Sequence, residues 1–325
     1  MTLMNPEFWT YIGVIVGIYG IFGLGLQLQL GYAGLLNLGH VAFMAIGAYG
    51  MAITAVKLGF PLWASCLTGI AAATVFGLAV GLTSARLTAN FFAISAFALA
   101  QIVQYVAANT PGLTGGTVGT VALAGNGKLA NYNTDWISLR GDLTDWLTSA
   151  TGLAWDANGT TLLVVCVVAV VLTGVLQILV HTPWGRALRA IRDDPDAAAA
   201  LGKNVLAYRL QVLAIGSAVG GVAGILYAFQ LGFFAPSDFA PTTTLIAFTV
   251  VILGGTARNW TVMVGALAYG LLYGVTRFIS FPPLSYLDSA QLAYLRLIII
   301  GALMIGLMAF RPQGIFGKRE EVSLD

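Results

Sequence analysis

Charge is the scarcest feature of this sequence. Asp, Glu, Lys and Arg together make up 9% of its 325 residues, where a soluble domain carries about 25%. So few charges cannot cover a water-facing surface, which excludes an ordinary soluble globule. The formal net charge of +2 offers nothing specific to nucleic acid. Cysteine is nearly absent too: Cys66 and Cys166 each sit in an apolar run, where a small buried hydrophobe fits better than a disulfide or a metal site. No Lys or Arg precedes Lys57, so the start lacks the basic region of a cleavable signal peptide and its apolar stretch is expected to stay as a helix. No G-x-x-x-x-G-K-[ST] occurs. The nearest approach, Gly125-Asn126-Gly127-Lys128, lacks the first glycine and the hydroxyl residue. No cluster of His, Cys or carboxylates has metal-ligand or catalytic spacing, which argues against an enzyme.

What is present is apolar. Hydrophobic residues make up 58% of the chain, mean hydropathy is +0.87 and there are 40 glycines, which suit membrane helices because small residues let backbones approach closely. Runs close to the roughly 20 mostly apolar residues of a bilayer span are read at 9–30, 40–56, 60–82, 90–108, 161–180, 209–231, 245–255, 261–279 and 290–310. The expected fold is therefore all-α: a polytopic transmembrane helical bundle of about nine spans, with the whole chain, 1–325, as one transmembrane domain. The stretch 245–255 is short and 31–39 is glycine-rich, so either is a candidate half-helix inside the bundle.

Basic residues give the orientation. One set of loops carries Arg86, Arg186, Arg189, Arg192, Lys203, Arg209, Arg258, Arg311, Lys318 and Arg319, and the opposite set only Lys57, Lys128 and Arg140. The richer side is expected to be cytoplasmic, with the N-terminus outside and the C-terminus inside. The longest loop, about 109–160, then lies outside. Within it 135–148 reads as an amphipathic helix, its tryptophans at headgroup depth. Ordinary interfacial aromatics or a docking surface would both account for that loop.

The most informative stretch is the cytoplasmic loop at about 182–208, HTPWGRALRAIRDDPDAAAALGKNVLAYRL from His181. Arg186, Arg189 and Arg192 recur every three residues, which keeps them broadly on one side of a helix. Asp194 then fits an N-cap, Pro195 the first helical position, and Asp196 complements the helix dipole. Ala197, Ala198, Ala199, Ala200 and Leu201 continue a short helix that Gly202 stops. So short a helix is not stable alone in water and must pack on something. An ordinary loop obeying the positive-inside rule and a docking element both remain open on these grounds.

This segment resembles the cytoplasmic coupling loop of LivM-type permeases of branched-chain amino acid ABC transporters, within the larger LivH/LivM group, whose pattern is G-R-A-x-x-A-I-R followed by acidic residues, alanines and L-G. Four further segments resemble the same family in the same order. GYAGLLNLGHVAFMAIGAY, from Gly31, matches its N-terminal glycine-rich pattern, with Asn37 where Ser is usual. RLTANFFAISAFALAQI, from Arg86, is similar to R-x-R-G-x-Y-F-A-I-x-T-L-A-F but departs at Thr88-Ala89-Asn90 and at Ser95 and Ala96. VVILGGTARNWTVMVGA, from Val250, is similar to a glycine-rich stretch of the family, with Ala257 for one glycine and Thr261-Val262 for its Gly-Pro. RPQGIFG, from Arg311, is similar to the family's ending. Together these cover most of the chain apart from the outer loop.

The resemblance implies an ABC importer permease fold and one half of a membrane dimer in the inner membrane. Its partners would be a LivH-like second permease, two LivG/LivF-like ATPase subunits and a periplasmic substrate-binding protein. ATP and Mg would belong to the ATPase subunits, with no cofactor and no catalysis on this chain. Asp194–Gly202 would be the helix seated in a groove of the ATPase. Polar residues inside spans are expensive, so Gln27, Gln29, Gln101, Gln104 and Asn109 are candidates for a lined pathway, with interhelical hydrogen bonds the alternative. His40 is expected to bond a neighbouring carbonyl. Gly216, Gly220 and Gly224 mark a close helix contact, within the chain or with a partner. Pro236–Pro241 reads as a rigid outer loop that could meet the binding protein. A urea or short-amide permease of the same group remains an alternative. A secondary transporter is a rival class, although no acidic residue or lysine falls in the middle of any proposed span.

Overall fold

The computed structural model describes residues 6–84, 87, 89–124, 131–255 and 258–278, with isolated positions between 291 and 306. The expected span at 290–310 is described only at those positions. Arg86, Gly125–Lys128 and the RPQGIFG ending lie outside the described residues.

The described chain is helical, with no strand among the described residues. Its helices are α1 (Pro6–Gln27), α2 (Val41–Leu58), α3 (Leu62–Ser84), α4 (Ala89–Asn109), α5 (Pro111–Thr114), α6 (Thr120–Ala124), α7 (Asn131–Thr151), α8 (Ala157–His181), α9 (Pro183–Asp193), α10 (Pro195–Ala200), α11 (Val205–Leu231), α12 (Thr242–Gly254) and α13 (Asn259–Phe278). A single π-helical turn, Leu28–Tyr32, continues α1. Boundaries follow local chemistry. Asp156 caps α8 by accepting from the Gly159 amide at 3.1 Å, and Asn204 caps α11 by accepting from Ala207 at 3.0 Å. Proline opens α1, α5, α9 and α10, where its missing donor costs nothing.

Among the described residues six helices are long and apolar enough to cross a membrane: α1 with its π turn, α2, α3, α4, α8 and α11. Helices α12 and α13 are bent by 114° to one another and make a seventh span if they count as one. At 1.5 Å per residue α12 is about 20 Å long, too short for a core of about 30 Å. That shortness fits the half-helix alternative read at 245–255.

Helices α1, α2 and α11 form the centre, with α3, α4 and α8 outside them. The Gly216, Gly220 and Gly224 row makes its close contacts within the chain. A Cβ at Gly216 would fall 2.4 Å from Gln29 Nε2, one at Gly220 3.2 Å from Phe43 Cβ, and one at Gly224 2.0 Å from the Met44 carbonyl oxygen. Only glycine lets α11 lie this close to α1 and α2.

The segment expected as an outer loop is more ordered than a loop. The amphipathic helix read at 135–148 is there but longer, as α7. Trp136 is buried and stacked on Phe229, with ring centroids 4.7 Å apart and planes within 8°. Its ring therefore packs against protein rather than lipid, whereas Trp146 is exposed. Tyr132 anchors the start of α7: its hydroxyl lies 3.3 Å from Thr120 Oγ1 and 3.1 Å from the Gly232 carbonyl, and burial pushes its pKa up. Lys57, at the end of α2, donates to the Gly112 carbonyl on the same face. Both cysteines are free, and neither is fully buried: Cys66 is half-buried and Cys166 exposed on α8, against the buried role read from their apolar surroundings.

Candidate functional site

Two features stand out, one on a face of the bundle and one at its centre. On the face, the chain leaves α8 at Thr182, whose hydroxyl donates to the Leu179 carbonyl at 2.6 Å, and turns into α9. Gly185, Ala187, Leu188 and Ile191 make the buried side of α9, and Trp184 Nε1 donates to Gln211 Oε1 at 2.6 Å. Helix α10 follows as expected. Asp194 Oδ1 accepts from the amides of Asp196 and Ala197, both at 2.9 Å, Pro195 is the first helical residue, and Gly202 follows with φ +80°. Ala198 is buried, whereas Asp196, Ala197, Ala199, Ala200, Leu201 and Gly202 are exposed. Leu201 is 81% exposed, so α10 turns one small residue inward and an apolar tip outward.

The three arginines do not share one face. Arg186 and Arg189 are exposed, while Arg192 is 29% exposed at its side chain and donates from Nη1 to the Gly31 carbonyl at 2.7 Å. Each three-residue step falls about 60° short of a full turn at 3.6 residues per turn. By Arg192 the row has drifted to the edge of the buried arc.

At the centre lies a polar hub around the interruption between α1 and α2. Gln29 is fully buried; its Oε1 accepts from Asn37 Nδ2 at 3.0 Å, and Asn37 Oδ1 accepts from the Gly39 amide at 3.0 Å. His40 Nε2 lies 3.2 Å from the Phe22 carbonyl, which can only accept, so this nitrogen carries a proton and donates. That matches the structural role expected of His40. The Val41 amide donates to Thr244 Oγ1 at 3.1 Å, which brings the broken helix α12 into the same network. These pairings are what burial of polar groups requires. Gln27 is equally buried in the same stretch. Gln27 and Gln29 thus sit inside the packed centre, apart from the hollow beside α4.

Gln101 and Gln104 sit elsewhere. Gln101 Nε2 donates to Gln104 Oε1 at 3.1 Å, and both line a hollow of about 290 Å³ with Tyr105, Ala108, Thr117, Pro236 and Ser237. That is near the lower limit of small-molecule sites, about 300–1,000 Å³. Asn109 is exposed just beyond, donating to the Tyr105 carbonyl at 2.9 Å. The Pro236–Phe239 turn walls the hollow and is rigid: Asp238 Oδ2 accepts from the Ala235 amide at 2.8 Å, and Phe239 packs against Tyr49, Tyr227 and Phe234. The five pathway candidates therefore divide into two groups. A groove of about 750 Å³ between α1, α8 and α13 has almost wholly apolar walls. Among the described residues no group of three His, Cys, Asp or Glu could hold a metal.

Asn37 and Thr244 belong to the hub but were not among the pathway candidates read from the sequence. Asn37 was visible only as a departure from Ser; the glutamine eight residues earlier was the signal for its partner.

A bundle of long apolar helices with a bent pair and a capped projection on one face is the build of a polytopic membrane protein. The sequence profile of the family described as "Branched-chain amino acid transport system / permease component" matches residues 9–308, and the chain belongs to that family. It is thus a transport permease subunit and an integral membrane protein, not an enzyme. It is 30% identical over 310 residues to the Escherichia coli high-affinity branched-chain amino acid transport system permease protein LivM, covering 94% of this chain and 69% of that protein. A probable LivM permease of Methanocaldococcus jannaschii is 24% identical, covering 97% of this chain and 95% of the relative. The Escherichia coli permease LivH is 26% identical, covering 95% and 94%. No solved structure matches the chain.

Proposed function

We propose that this chain is one permease half of an ATP-driven ABC importer that carries branched-chain or other neutral amino acids across the inner membrane. The whole chain acts as one permease unit, with the N-terminus outside and the α9–α10 face and the C-terminus in the cytoplasm. A LivH-like permease completes the channel, two LivG/LivF-like ATPases hold ATP and Mg, and a periplasmic binding protein delivers the substrate. The observation that carries the reading is the tip of α10. A helix of six residues cannot hold itself, yet it is capped, pinned by Ala198, and presents Leu201 with three small alanines outward. An apolar tip flanked by Asp194 and Asp196 suits a groove on a soluble partner, where small residues allow close approach. ATP-driven closure of the ATPases would then push on α10 and switch the bundle between its two openings. Gln101 and Gln104, with Asn109 above them, supply neutral hydrogen-bonding groups near the outer end of α4. A zwitterion has no net charge, so neutral dipoles at its ammonium and carboxylate ends can replace a fixed counter-charge.

Purification of the tagged chain from its own membrane in mild detergent, with partners identified by mass spectrometry, tests this. Recovery of a second permease with ATPase subunits is expected. Recovery of the chain alone or as a homodimer after crosslinking overturns the importer in favour of an ATPase-independent transporter. Because urea is also uncharged, leucine and urea uptake are measured side by side; uptake of urea alone assigns the chain to the short-amide branch.

A further inference from the structure

We infer that Arg192 is a positioning residue that ties the α9–α10 projection to the polar hub, so that displacement of α10 is delivered to the segment between α1 and α2. The inference rests on the proposed docking of an ATPase at α10. It starts from an unmet need at a helix end. The last carbonyls of a helix lack intrahelical partners. At the end of the α1–π run, the Gln29 carbonyl accepts from Leu35 at 2.9 Å and the Leu30 carbonyl from Gly34 at 3.1 Å. The Gly31 carbonyl is met instead by a guanidinium 161 residues away, at 2.7 Å. A cation at the C-terminal end of a helix also faces the negative pole of its dipole. Arg192 Nε donates in addition to Asp193 Oδ1 at 3.1 Å, which orients the fork.

Shape supports the same assignment. Gly34 has φ +67°, and a Cβ there would fall 2.9 Å from Arg192 Cγ. The backbone conformation that favours glycine is thus also the one that leaves room for the arginine stem. From Gly31 the connections run onward through the chain itself and three further hydrogen bonds. Gln29 binds Asn37, His40 binds the Phe22 carbonyl in α1, and the Val41 amide at the start of α2 binds Thr244 in α12. One side chain near the end of α9, two residues before the cap of α10, therefore reaches the segment that links α1, α2 and α12. Arg186 and Arg189, exposed on the same helix, have no such reach.

The test uses the complete transporter in proteoliposomes with its binding protein, and reads radiolabelled leucine imported per ATP hydrolysed. With Arg192→Ala this ratio is expected to fall about three- to thirtyfold, the range of typical coupling energies. Arg192→Lys should lie between, because an ammonium reaches the carbonyl without the oriented fork. A residue that merely stabilised the fold would lower the yield of assembled complex and leave the ratio per complex unchanged. A wild-type ratio in Arg192→Ala overturns the inference. Should Arg192→Ala fail to assemble, Arg192→Lys decides: an assembled complex with a lowered ratio supports it, and a full ratio or a second failure to assemble overturns it. Absence of ATP-dependent leucine uptake in the wild-type vesicles is a separate outcome, which sinks the importer reading itself.

Discussion

Helices α1 and α8 pack against each other yet behave as opposites. Among the described spans the window of α8 is the most apolar, and only 22% of it is buried. Helix α1, less apolar and carrying Gln27 at its end and Gln29 in the turn that follows, has 72% of its window buried. A soluble protein would show the reverse. In lipid, the outward face of α8, Cys166, Val167, Val170, Val171, Gly174, Val175 and Ile178, needs nothing but hydrocarbon. The inward helices must instead satisfy polar groups and fit backbones together. The interior of this chain is where glycines and amides collect, and its surface is where the valines go. The tip of α10 is a third environment: apolar, yet attached to the basic face rather than to the span region.

Breaking the interior should have the largest effect. Gly224→Leu places a side chain where even a Cβ lies 2.0 Å from a carbonyl oxygen of α2. The cost should reach or exceed the upper end of the usual overpacking range, about 1–3 kcal/mol. The expected result is loss of the monodisperse peak in fluorescence-detected size exclusion. Next comes the exposed tip. Ala199→Trp should leave that peak intact but uncouple transport from ATP hydrolysis, seen as sustained ATPase with at least about tenfold less leucine uptake, equivalent to 1.4 kcal/mol. Full coupling there would argue against docking at α10. A smaller effect is expected for Gln29→Leu, which strands the Asn37 amide inside the bundle. Thermal denaturation in detergent should report a loss of about 1–3 kcal/mol, and Asn37→Ser in the same background should add little, since the pair is already broken. The smallest effect belongs to the lipid face. Ile178→Leu, at a position 72% exposed, should change stability by less than about 0.5 kcal/mol and leave uptake untouched. A large loss there would mean that α8 faces a protein partner rather than lipid.

Much of this was legible in advance because it depends on neighbours in sequence. The α10 helix was read residue by residue from Asp194 to Gly202, since capping and chain reversal are settled within one turn. The shortness of 245–255 was visible in its length, whereas 31–39 forms the end of a π turn and a connection between two spans rather than the half-helix read there. The drift of Arg192 away from Arg186 was also implicit in the helical period, but its destination was not: nothing in the local pattern points to a carbonyl 161 residues away. Trp136 was read as an interfacial anchor because its apolar ring suits a headgroup layer as well as a protein interior, and only the position of Phe229 separates the two.

The sequence by itself determined that the chain lies in a membrane, which family it belongs to, where its long helices run and how α10 is capped. These rest on composition and on interactions within a few residues. The tertiary structure alone decided which of the similarly apolar helices are central, which glutamines are locked in the hub and which line a hollow, and that the Gly216–Gly224 row closes within the chain. Lipid and protein interior reward the same apolar side chains, so hydropathy cannot tell an outer helix from an inner one; only the partners that a buried amide or a close-packed glycine finds across the fold can do so.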